Sequence, residues 1–308
     1  MSVAIIINPA AGASSRHPVA HKIAVARDAL ASAGARGEVL IAERPGHARE
    51  LARAAVRGGA RLVLAWGGDG TANEVGSALA FGDTPLGIIP AGSGNGLARE
   101  LGLSFRPNAA IRAAVAGRDR TADVGEIAGR LFLNIAGIGF DARVAQRFAA
   151  RPPGRRGAWP YVAITLREVW SYVPDRYRVT LGGVVHEGSF FTIVLANSCQ
   201  FGNRMRVAPE AQIDDGLLNA LLVDHRSVPG HLWRARHLLF NPLRAEGVVR
   251  RPVAEATVEG PAQMACQIDG EPFTAGPKIE VRIHPGAIRL RVPLATELAD
   301  RRVILVSE

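Results

Sequence analysis

The run Trp66-Gly67-Gly68-Asp69-Gly70-Thr71-Ala72-Asn73-Glu74-Val75 constrains this chain more than any other stretch. It follows an apolar segment at 61–65 and opens a helically spaced segment at 71–80. Its closely spaced glycines let the backbone turn sharply, with no Cβ between main chain and ligand. Amides at the start of a helix face outward beside the positive end of its dipole, an arrangement that suits phosphate. Thr71 and Glu74 fit the S/T-x-x-E capping box. The carboxylate of Asp69 in such a cradle would repel bare phosphate, so Asp69 is assigned to magnesium or to substrate positioning. Taken alone, the run also fits a strand–helix turn whose aspartate is merely structural.

Its surroundings decide between these readings. Strands are expected at 3–7, 39–42, 61–65 and 86–89, and helices at 17–32, 48–56 and 71–80. Such alternation builds a parallel sheet covered on both faces. Ligands of open α/β sheets bind outside the carboxyl ends of the strands. Three small-residue loops fall at such ends: Asn8-Pro9-Ala10-Ala11-Gly12, the Gly67-Gly68-Asp69-Gly70 turn, and Pro90-Ala91-Gly92-Ser93-Gly94-Asn95. Their convergence is a stronger signal than any one of them. A G-x-x-x-x-G-K-[ST] run is missing, which excludes a P-loop protein, and the first strand–helix turn lacks G-x-G-x-x-G.

Beyond about residue 122 the pattern changes. Strands are expected at 130–135, 178–181, 189–196, 217–223, 254–258, 265–268, 278–283 and 288–292. Turn signals at Gly182-Gly183, Asp214-Asp215-Gly216, Asp269-Gly270 and Pro285-Gly286 separate them. This describes an antiparallel sandwich, with helical insertions at 159–172 and 229–239. The fold class is therefore α/β: an N-terminal nucleotide-binding domain with a parallel sheet over 1–122, then a C-terminal β-sandwich over 123–308. The last residues, 293–308, are left open, packing back on the first domain being one option.

Composition removes other classes. Two cysteines, Cys199 and Cys266, build neither a disulfide scaffold nor a four-cysteine zinc site, and both read as buried free thiols. No apolar run reaches the ~18 residues of a membrane span. The apolar start lacks a basic leader and reads as a first strand, so a cytoplasmic location is expected. The net charge of +9 permits an acidic partner without choosing one.

On these motifs the chain resembles the diacylglycerol kinase catalytic-domain family, which includes bacterial soluble diacylglycerol kinases, related lipid kinases and sphingosine kinases. Residues 8–12 look like its N-P-x-[SA]-G loop, 67–75 match its G-G-D-G-T-x-N-E-V signature, and 90–99 look like its P-x-G-[ST]-x-N-x-x-A-R segment. Asp123-Val124-Gly125 and 134–141 fit the crossover, and Asp214-Asp215-Gly216 and Asp269-Gly270-Glu271 match two late acidic motifs.

The resemblance implies a set of roles. ATP would bind through Asn8, Pro9, Ala10, Ala11, Gly12, Gly67, Gly68, Asp69, Gly70, Thr71, Ala72, Asn73 and Ser93. Asp69 and Asp123 would hold the catalytic Mg2+ network, and Glu271 would accept the proton. A structural Mg2+ site would use the carboxylate of Asp215 and the backbone carbonyls of Gln212 and Leu217. Two positions depart from the family pattern. Ala42 stands where Thr is common, and Gly96 follows the second-loop Asn where bacterial diacylglycerol kinases tend to carry Asp.

The expected reaction is ATP-dependent phosphorylation of a lipid hydroxyl on diacylglycerol, a sphingoid base or a related lipid. The alternatives are a soluble-substrate kinase of NAD kinase type and a non-catalytic lipid- or nucleotide-binding regulator. Basic residues at 151–156 beside Trp159, Tyr161, Trp170 and Tyr172, and the stretch 231–240 with Trp233, suit an anionic membrane surface. The same pattern also fits helices that cover the sandwich with solvated arginines. No nucleic-acid partner is expected, and a homodimer is allowed.

Overall fold

The computed structural model describes residues 1–11, 18–151, 158–202, 205–225 and 247–294, with side chains for all of these except 158–162, 201, 202, 205 and 206. Contacts divide the chain into two units, one of residues 1–122 with 287 onward, the other of residues 123–286.

In the first unit, β1 (Ser2–Ile7), β2 (Arg36–Ile41), β3 (Leu62–Gly67) and β4 (Leu86–Pro90) form a parallel sheet in the order β2-β1-β3-β4. On one face Val3, Ile5, Ile7, Leu62, Leu64 and Trp66 pack with α1 (Val19–Ser32) and α5 (Pro107–Ala116). The alternating residues Ala4, Ile6, Val63 and Ala65 are buried as well. Burial on both faces explains why these strands read as unbroken apolar runs. Helices α2 (His47–Arg57) and α3 (Asp69–Leu79) pack together and against β3. Helix α5 lies outside the elements expected from periodicity, although it opens with proline at a position that favours helix starts.

The expected capping box does not form. Helix α3 begins at Asp69 with Gly68 as its N-cap, so Thr71 is already inside the helix. The Glu74 carboxylate instead accepts the amides of Gly46 (2.9 Å) and Ala48 (3.1 Å) at the start of α2. It thus serves the open amides of a neighbouring helix rather than its own.

The second unit is antiparallel. It contains β7 (Ile135–Gly139), β8 (Arg176–Leu181), β9 (Val184–Ala196), β12 (Leu218–Asp224), β13 (Val248–Val253), β14 (Glu255–Glu259), β15 (Met264–Ile268), β16 (Glu271–Ala275) and the first part of β17 (Lys278–Val292). One layer runs β16-β15-β7-β9-β12-β13. The start of β9 turns to β8, which continues to β14 and β17. Ile138, Leu195, Leu222 and Cys266 of the first layer meet Val179, Val258, Ile279 and Val281 of the second in one core, the arrangement of a β-sandwich. Cys199 and Cys266 are both buried and free, and burial pushes the Cys266 thiol up to about 12.

Three expectations differ from the structure. The strand expected at 130–135 is two, β6 (Arg130–Phe132) and β7, because the Asp269 carboxylate takes the amides of Leu133 and Asn134 between them. The break expected at Pro285-Gly286 is absent: β17 runs through it but changes partner. Arg282 faces Glu255 of β14, whereas Leu290 faces Leu86 of β4. Residues 287–292 therefore group with the first unit, where the sequence reading had put them in the sandwich domain. Helix α6 (Phe140–Ala149) was not expected, and α7 (Ala158–Ser171) lies at the first expected insertion. The second insertion, at 229–239, lies outside the described residues.

Candidate active site

In the first unit the parallel register brings three strand ends level. Ile7 pairs with Trp66, and Gly67 pairs with Pro90. The loops that follow are tied to one another. Asn8 folds back so that its Oδ1 accepts the Ala10 amide (3.0 Å), and its Nδ2 donates to the Thr71 hydroxyl (3.0 Å). A Cβ on Gly67 would lie 2.3 Å from that hydroxyl, so no other residue fits there. The second and third loops meet backbone to backbone, because a Cβ on Gly92 would fall 2.6 Å from the Gly68 Cα. Asn95 locks this contact from a left-handed conformation (φ 53°). Its amide nitrogen donates to Asp69 Oδ2 (2.7 Å), and its side chain both accepts from the Gly92 amide (2.9 Å) and donates to the Gly92 carbonyl (2.6 Å).

The result is a cradle whose walls are main chain. Gly68, Asp69 and Gly70 are partly exposed at the start of α3, Ala10 and Ser93 are exposed, and Asn8 and Pro9 are half-buried. Thr71, Ala72 and Asn73 are buried beneath it. Of the expected nucleotide contacts these three shape the cradle from below, and Gly12 lies outside the described residues. The amides at the helix start and the closely packed glycine backbone fit an anionic ligand such as a polyphosphate. Asp69 stands at the first position of α3, beside the positive end of the helix dipole, and its Oδ2 accepts the Asn95 amide.

In the second unit Asp123 is 3% exposed and pins two loops. Its Oδ2 accepts the Gly216 amide (2.7 Å), its Oδ1 accepts the Gly286 amide (2.7 Å), and its own amide donates to the Ile213 carbonyl (2.7 Å). Each carboxylate oxygen is thus engaged by main chain, which makes Asp123 the anchor of the 212–217 loop. In that loop Asp215 Oδ1 accepts the Leu217 amide (3.0 Å). Partial desolvation raises the Asp215 carboxyl above its usual range, the Leu217 amide opposes this, and the neighbouring Asp123 and Asp214 carboxylates add to it. Among the described residues no group of three or more His, Cys, Asp or Glu side chains is placed to hold a metal ion, and of the expected magnesium set Gln212 and Asp215 are exposed and Leu217 is partly exposed.

The third acidic motif is built differently. Ile268 faces Glu271 across a two-residue hairpin turn of Asp269 (φ 48°) and Gly270 (φ 86°), the positive-φ pair that Asp-Gly favours. The buried Asp269 carboxylate accepts three amides, from Leu133 (2.8 Å), Asn134 (2.9 Å) and Ile135 (2.9 Å). Glu271, the first residue of β16, is exposed. The buried Asn197 connects the two acidic sites. Its Nδ2 donates to the carbonyls of Asp123 (2.9 Å) and Leu133 (2.8 Å), and Leu133 donates in turn to Asp269. The sequence reading missed Asn197. Its only signal was a polar Asn-Ser pair directly after the apolar run of β9.

Comparison with known proteins gives one answer. A diacylglycerol kinase catalytic domain is matched over residues 2–127, and a YegS C-terminal NAD kinase beta sandwich-like domain over residues 134–292. The chain is 32% identical over 257 residues to a protein of Chromohalobacter salexigens named probable lipid kinase YegS-like, covering 82% of each. Its fold is that of a solved diacylglycerol kinase of Bacillus anthracis (TM-score 0.73, 19% identity, 96% of this chain and 97% of the other). A looser likeness joins it to an NAD kinase of Archaeoglobus fulgidus solved in complex with ATP (TM-score 0.52, 14% identity, 95% of this chain and 94% of the other).

Proposed function

The chain belongs to the YegS-like family of lipid kinases with a diacylglycerol kinase catalytic domain, and on that premise we propose that it moves the γ-phosphate of ATP to a lipid hydroxyl. The observation that carries this reading is the cradle in which Gly68 and Gly92 touch backbone to backbone at the start of α3.

Phosphoryl transfer depends on positioning and charge neutralisation through a loose transition state. The 8–12 loop, residues 67–73 and Ser93 hold the nucleotide, with Asp69 oriented by Asn95 toward the phosphate end. The acceptor oxygen bonds to Pγ, the bond from Pγ to the bridging oxygen breaks, and ADP leaves. The hydroxyl proton passes to the Glu271 carboxylate. A carboxylate with an ordinary pKa near ~4.3 cannot strip an alcohol in advance, but it can orient the hydroxyl and take the proton late. Asp123 acts through the 212–217 loop that it anchors. Asp69 would hold a magnesium ion that would supply charge neutralisation at the phosphates, and Asp215 with the carbonyls of Gln212 and Leu217 would hold a second that would stiffen the 212–217 loop.

The acceptor is taken from an anionic bilayer surface. No helix among the described residues is long and apolar enough to cross a membrane. Helix α7 and the turn after it expose Leu166, Trp170 (68%) and Val173 (82%), beside exposed Arg167 and Arg176. An apolar row edged by arginine suits the boundary between headgroups and acyl chains. The side chains of Trp159 and Tyr161, and residues 152–156 and 231–240, lie outside those described. Trp170→Ser is expected to weaken sedimentation with phosphatidylglycerol vesicles by about 10–100-fold, given ~1.5–3 kcal/mol for burying a large apolar side chain. Unchanged sedimentation would remove α7 from the docking surface.

The reaction itself is tested by ADP release from Mg-ATP over mixed micelles of diacylglycerol, sphingosine, ceramide or phosphatidylglycerol, with NAD and no-acceptor controls. Turnover with one of the lipids is the expected result. Turnover with NAD alone would move the protein to a soluble substrate.

A further inference from the structure

Lys22 lies at the N-terminal end of α1 and is 2% exposed. Its ammonium makes one hydrogen bond among the described residues, to the carbonyl of Pro9 (3.2 Å). Three features of this placement are unfavourable to a cation. It stands near the positive end of a 14-residue helix, whose first turn contains no acid. It is desolvated, which lowers its pKa. Its three donors meet one neutral acceptor where a buried charge calls for a counter-charge. Pro9 belongs to the loop that leaves β1, and the preceding Asn8 is bonded to Thr71 in the first turn of α3. The ammonium is therefore bonded to the loop that forms the first wall of the cradle.

We propose that Lys22 is the cationic contact of the nucleotide polyphosphate at this loop. An anion arriving over residues 8–11 would supply the counter-charge that no described residue gives it. The assignment rests on the ATP reading above and adds a residue to it. The competing role is a pin: a single N–H bond that holds the Pro9 carbonyl, with no need of charge. Lys22→Gln separates the two, because an amide keeps a donor and loses the charge.

The chain contains only two lysines, and the second, Lys278, is exposed in the other unit. Wild-type protein labelled with ε-13C lysine therefore gives two assignable signals, whatever the folding of a variant. ATP and ADP are expected to shift the Lys22 signal, adenosine to leave it in place, and Lys278 to stay unmoved with all three. By calorimetry, Lys22→Gln is expected to bind ATP and ADP about 10–100-fold more weakly, the worth of a charged hydrogen bond, and adenosine as wild type does. ATP binding with the Lys22 signal unmoved, or Lys22→Gln binding ATP as tightly as wild type, would leave Lys22 a pin and overturn the proposal while sparing the ATP reading. A shift with inorganic phosphate but not with ATP would also overturn it, making this a phosphate site. No ATP binding by wild type at all would defeat the ATP reading itself, and the assignment with it.

Discussion

Glu271→Gln is expected to lower turnover with ATP and the acceptor lipid by about 10²–10⁴-fold, the usual contribution of a positioned general base. Glu271 is exposed at the first position of β16, and its backbone is set by the Asp-Gly turn before it. Glutamine has the same shape and can still accept a hydrogen bond from the lipid hydroxyl, but it cannot carry away the proton. The loss should therefore fall on kcat, with the KM for ATP and the melting temperature close to wild type. Steady-state kinetics beside a thermal melt separates these quantities. Wild-type kcat in the variant would remove the base from Glu271. A collapsed melting temperature would instead mean that the residue serves the hairpin.

Asp269→Ala should do the opposite. One carboxylate satisfies three amides at a break between two strands, and its removal leaves them buried without an acceptor. Each lost bond to a charged acceptor is worth ~1.5–3 kcal/mol, and lost bonds within one cluster add only in part. A destabilisation of about 3–5 kcal/mol is expected, the range seen when buried charge networks are broken. Urea unfolding followed by tryptophan fluorescence reads this as an early transition. Activity should fall with it, because Glu271 is aimed by the same turn and Asn197 carries the network on to Asp123. A loss below about 1 kcal/mol would mean that the three amides find other partners and that the turn does not depend on Asp269.

Much of this was legible before any coordinates. Parallel strands buried on both faces leave unbroken apolar runs, and glycine-rich turns at their ends name the ligand-binding edge, so the three loops of the first unit could be read directly. Contacts that depend on the partner strand or helix could not. Glu74 satisfies a local capping pattern, yet its carboxylate serves α2, 26 to 28 positions earlier in the chain. Pro285-Gly286 has the composition of a turn, but Asp123 takes the Gly286 amide and the strand continues past it to a new partner. Asp123 entered only through the resemblance, as part of a magnesium network, and its bonds to the Gly216 and Gly286 amides could be read only from the fold. Lys22 carried no signal at all. A lysine in an amphipathic helix is normally solvated, and only its burial and its bond to the Pro9 carbonyl reveal that this one is not.

The most direct test of the central claim follows the phosphoryl group itself. Purified protein would receive ATP with ¹⁸O at the γ-phosphate, together with NAD and the lipid panel in mixed micelles, and the extracted products would be weighed by mass spectrometry. The account predicts the label in a phosphorylated lipid, with ADP released in equal amount and both lost in Glu271→Gln. Label recovered only in inorganic phosphate, or only in phosphorylated NAD, would contradict it.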